Sequence, residues 1–81
     1  VPNLQFLVNA TKAICTLLEL KGWNPALAKR ALGYLQTAQD KDMRNAKVIS
    51  AVDMYQRVAR KYGVTAATHS AARGGARTPG P

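Results

Sequence analysis

The residues with chemistry to offer are few: Cys15, His69, the acids Glu19, Asp40, Asp42 and Asp53, and twelve Lys and Arg. General acid–base work needs a partner within hydrogen-bond reach, and His69 has only small residues around it, with no carboxylate or nucleophile near in sequence. Cys15 sits among Ile14, Leu17 and Leu18, where a thiol behaves as a small buried hydrophobe. One Cys makes no internal disulfide, and one Cys with one His falls short of the four ligands of a structural zinc site. Gly74-Gly75 lacks the strand, helix and Lys of a phosphate-binding loop. The expectation is therefore a chain that is no enzyme and needs no metal and no cofactor.

The cations are the larger signal. Twelve Lys and Arg against four Asp and Glu leave a net charge of +8 in 81 residues, more than solubility asks for. A polyanion, and nucleic acid first among polyanions, is the expected partner. The candidate contacts are Lys29, Arg30, Arg44, Lys47, Arg57, Arg60 and Lys61, joined by Arg73 and Arg77 near the C-terminus. Some have local explanations. Arg57 stands four residues from Asp53 and Arg44 four from Asp40, the spacing of intrahelical pairs. Arg60 and Lys61 precede Gly63, where cations meet the negative end of a helix dipole. The span 25–45 makes a poor helix-turn-helix, because Gly33 lies inside the apolar rhythm and the recognition segment would carry Asp40 and Asp42. Without a base-reading element, contact with phosphates is expected to be non-specific, and the charge by itself does not choose between single and double strands. Trp23, Tyr34, Tyr55 and Tyr62 stand at helical spacing or beside a break and are expected to pack rather than stack on bases.

These residues must be positioned by helices, since no segment alternates for more than a few positions. The spacing predicts an all-α chain: helices over about 3–21, 25–39 and 42–62 in a helical domain 1–63, then an extended Arg/Gly/Pro-rich tail 64–81. Pro2 suits a first-turn position, and Gly22 a helix stop. Asn24-Pro25 is a cap followed by a first-turn proline. From Gln36 to Lys47 the sequence is almost wholly polar, and then Val48, Ala51, Val52, Tyr55, Val58, Ala59 and Tyr62 restore a three-four rhythm. Asp40 or Asp42 caps a third helix in one architecture, a three-helix bundle. In the other, 25–62 is one helix of about 57 Å in a helical hairpin. The Asp-Lys-Asp cluster favours the break.

The first helix carries more apolar surface than a small domain covers. Its polar residues Gln5, Asn9, Lys12, Thr16 and Glu19 form one narrow stripe, and apolar residues fill the rest. A chain of this length buries only about 60–65% of its unfolded surface, so the surplus is expected to meet other copies. Phe6, Leu7, Ile14, Leu17 and Leu18 are the residues expected to divide between the subunit's own core and a self-association surface. No apolar run approaches the ~20 residues of a membrane span. Val1 stands in place of an initiator Met, so processing or excision from a longer chain is expected.

Small size, helicity, cationic charge, surplus apolar surface and an Arg/Gly/Pro tail together resemble the coat subunits of rod-shaped and bacilliform archaeal DNA viruses, the clavaviruses in particular. That resemblance implies a homo-oligomer of many copies packed helically around double-stranded DNA in a virion, with no small-molecule substrate. The competing expectation is a monomeric, cytoplasmic nucleic-acid-binding helical domain of a larger replication or conjugation protein.

Overall fold

The computed structural model describes residues 3–64, which form three helices: α1 (Leu4–Lys21), α2 (Pro25–Asp42) and α3 (Ala46–Lys61). The chain is a small all-α bundle, and no strand occurs among the described residues.

Each helix begins on an asparagine. The side-chain oxygen of Asn3 accepts from Phe6 N at 2.8 Å. That of Asn24 accepts from Ala26 N and Leu27 N at 3.0 and 3.1 Å, and that of Asn45 from Lys47 N at 2.8 Å. Each bond satisfies an amide that has no partner within its helix. Pro25 follows Asn24 at the first helical position, as the sequence predicts, whereas α1 starts at Leu4 after its cap Asn3, and the expectation for Pro2 lies outside the described residues.

The break between the second and third helices is real, but it falls later than expected. α2 runs on through Asp40 to Asp42, and neither acid caps α3. Asn45 N donates to Asp42 O at 3.2 Å across the turn, and Asn45 takes extended backbone (φ −65°, ψ 132°) to cap the next helix. A single helix over 25–62 would have left the rhythm from Val48 to Val58 without a surface to cover. Folding back at 43–45 lays Val48, Ala51, Tyr55, Val58 and Ala59 into the core. The turn also removes Arg44 from any helix, so its expected pairing with Asp40 has no helical geometry behind it.

α3 ends in a Schellman arrangement. Val64 N donates to Ala59 O at 2.7 Å and Gly63 N to Arg60 O at 3.1 Å, with Gly63 at φ 80°. Val64, expected in the tail, packs against the core. The remainder of the tail, with His69, Arg73 and Arg77, lies outside the described residues.

α1 is the element both others cover. Leu7, Val8, Thr11, Ile14, Cys15 and Leu18 are its buried face. α2 contributes Ala28, Ala31, Leu35 and Ala38, mostly small side chains that let its backbone come close. Thr11, polar and wholly buried, donates its hydroxyl to Leu7 O at 2.9 Å, which meets the requirement that buried polar groups be bonded. α1 and α3 run parallel: Gln5 lies beside Lys47 and Glu19 beside Lys61, a constant offset of 42 residues. α2 runs back between their ends.

Candidate nucleic-acid interface

This topology sorts the cations by end. α1 finishes, α2 begins and α3 finishes at the same end of the bundle. The joint is an aromatic cluster: Trp23 lies with its ring 6.2 Å from that of Tyr55 and 6.1 Å from that of Tyr62. The Tyr62 hydroxyl donates to Glu19 O at 3.3 Å. The four aromatics are packing residues here, as expected; Tyr34 meets Phe6 edge to face at 5.9 Å.

Around that joint stand Lys21, Lys29, Arg30, Arg57, Arg60 and Lys61, all exposed, against the carboxylates of Glu19 and Asp53. Five of the nine candidate contacts thus lie toward the same end of the bundle, on two different helices. Arg44 and Lys47 are not among them: they sit at the opposite end, with Lys41 and near Asp40 and Asp42. There Lys47 Nζ donates to Gln5 Oε1 at 2.9 Å, beside an open groove of about 430 Å³ lined by Leu4, Gln5, Val8, Asn45, Ala46 and Lys47. Lys21 is the member that sequence reasoning missed. Its signal was present, since a Lys just before the helix stop Gly22 falls in the last turn.

Arg57, Arg60 and Lys61 share the outer face of α3, being three and four residues apart. Arg57 Nε lies 3.1 Å from Asp53 Oδ2, the intrahelical pair that the spacing predicts, and Lys61 Nζ lies 3.7 Å from Glu19 Oε2. All four side chains are about half exposed or more, so each pair is worth at most about 1 kcal/mol and a phosphate oxygen competes with it. Lys61 also lies over the Tyr62 ring, 5.6 Å from its centroid.

Helix dipoles account for part of the pattern. Lys21, Arg60 and Lys61 occupy the last turns of α1 and α3, where positive charge is favoured. Lys29 and Arg30 have no such cause. They lie in the second turn of α2, in its N-terminal half, with no acid in the first turn and with side chains about 100° apart around the helix. Neither is in the last turn of a helix, and neither belongs to the ion pairs Arg57–Asp53 and Lys61–Glu19.

The candidate self-association residues divide. Leu7, Ile14 and Leu18 are 1%, 8% and 0% exposed and belong to the subunit's own core, because α2 and α3 both pack on their side of α1. They are corrected out of any surface role. Phe6 and Leu17 remain outside at 50% and 40%, and Leu20, at 76%, joins them. Met43 and Ile49 are exposed elsewhere.

Among the described residues no His, Cys, Asp and Glu gather in a set that could hold a metal ion. Among them, too, no helix is long and apolar enough to cross a membrane. Cys15 is wholly buried, and burial first, then the Glu19 carboxylate, push its thiol up to about 11. No family model matches the chain, and neither a curated protein nor a solved structure matches it.

Proposed function

We propose that this chain is a structural, self-assembling subunit that packages nucleic acid, duplex DNA in the first instance, as the coat protein of a virion. The observation that carries the nucleic-acid part is the end of the bundle where Lys29 and Arg30 join Lys21, Arg57, Arg60 and Lys61 without a local reason of their own. The assembly part rests on the exposed Phe6, Leu17 and Leu20 of α1.

Exposed Lys and Arg heads hold phosphates and read no base edges, so binding is indifferent to sequence. Three to six phosphates engaged per subunit give a slope of log K against log salt of about −3 to −5. The experiment titrates a short duplex into the protein at several salt concentrations, followed by the fluorescence of Trp23, the single Trp and a member of the basic end. Scrambled duplex of equal length is the competitor. A salt-independent affinity, or a hundredfold preference for one sequence, would reject the proposal.

A further inference from the structure

The apolar surface of α1 has a shape as well as an extent. Phe6, Ala10, Ala13, Leu17 and Leu20 recur at four, three, four and three residues, so they form one stripe along the helix. Ala10 is half-buried at the edge of the stripe, and the other four are exposed. No charged residue belongs to it, although the chain carries +8. Two copies meeting at the basic end would set cation against cation; along this stripe they do not.

The stripe is close to a palindrome about Ala13. Turned end for end about Ala13, Phe6 falls opposite Leu20 and Ala13 opposite itself, and Leu17 falls within one residue, about 1.5 Å, of Ala10. Large Leu17 thus meets small Ala10 on either side of a close Ala13–Ala13 approach, as close packing of helices favours. A parallel pairing would set Leu17 on Leu17 and Ala10 on Ala10, crowding one turn and leaving a gap in the next. Charge acts in the same direction. α1 has 18 residues and so spans about 27 Å, which in the end-for-end pairing separates the two basic ends by well over the Debye length of about 8–10 Å. Parallel pairing would put them side by side.

We propose that a second copy of this chain docks antiparallel on α1, stripe to stripe, about a two-fold axis at Ala13. The pair then presents its two basic ends at opposite extremes and bridges two stretches of nucleic acid. The inference rests on the assembly part of the function proposed above and fixes its partner and direction.

The test uses the full chain with Phe6→Cys and Leu20→Cys as separate variants, mixed under mild oxidant at high salt. Cys15 needs no removal, because it is wholly buried. The expected product is a mixed disulfide dimer of F6C with L20C, with neither variant cross-linking to itself. Self-cross-linking of each variant without a mixed product would show parallel pairing and overturn the proposal while leaving self-assembly standing. As a second measurement, wild type without nucleic acid should sediment at twice the 8.7 kDa chain mass or more. Leu17→Asp, an exposed site whose change spares the core, should return it to one chain with its helical circular dichroism retained. A wild-type chain that stays single at millimolar concentration overturns the pairing, and duplex titration of that same sample reports separately on the nucleic-acid reading.

Discussion

Cys15 and Tyr55 place two ionisable groups in the core, 0% and 3% exposed. Burial is the main cause that pushes the Cys15 thiol from 9.0 up to about 11 and the Tyr55 phenol from 10.0 up to about 12. Charge on Glu19 adds to the first and charge on Cys15 to the second. In both cases the folded state keeps its proton longer than the unfolded state. Stability is therefore whole below pH 9 and falls as pH rises from about 9 to about 12, by at most about 1.4 kcal/mol per pH unit for each group. Urea titrations at pH 7, 9 and 10.5 should show the midpoint fall over the last step, and a midpoint constant to pH 10.5 would contradict this account. The thiol should also resist iodoacetamide at pH 8 until denaturant is added. That Cys15 would be buried was readable from its apolar neighbours. Which of Phe6, Leu7, Leu17 and Leu18 would join it was not, because a helix apolar over more than half its circumference does not say which side its neighbours will take.

Helix boundaries turn on residues whose spacing says little until the backbone is seen. Asn45 is one: it stands in a run of polar residues with no Gly or Pro nearby, and Asp40 and Asp42 offer the same capping chemistry a few positions earlier. What selects Asn45 is the distance to Val48, since capping there brings Val48 down into the core in the first turn of α3. Glycines show the same dependence on place. Gly33 lies exposed inside α2, where an added Cβ would meet nothing within 4 Å. Gly33→Ala should raise stability by about 0.5–1 kcal/mol, through helix propensity and a less free unfolded chain. Gly63 also has open space around it, yet its φ of 80° holds the Schellman turn in the left-handed region. Gly63→Ala should lower stability by about 1 kcal/mol. Thermal unfolding of the two variants should shift in opposite directions; shifts of the same sign would mean that the turn after α3 does not depend on Gly63.

The bundle has two ends of different character, and that asymmetry follows from three helices joined by two tight turns. In sequence, Lys29-Arg30 and Arg57-Arg60-Lys61 are a whole helix apart, and Arg44 and Lys47 lie between them and read as equally good contacts. Folding reverses the chain at Gly22–Asn24 and again at 43–45, which puts the outer pair of clusters toward one end and sends Arg44 and Lys47 to the other. Net charge was therefore visible from composition, but its placement was not, because placement depends on helix lengths and on where the second turn falls. The asymmetry makes a specific demand on binding. If phosphates are held by one end, Lys29→Ala with Arg60→Ala should reduce the salt slope for a duplex by about 2. Arg44→Ala with Lys41→Ala removes the same charge from the far end and should leave that slope nearly unchanged. Both pairs are exposed, so neither should disturb the fold. Equal losses from the two double variants would mean that duplex binding follows net charge alone and that the basic end is no interface.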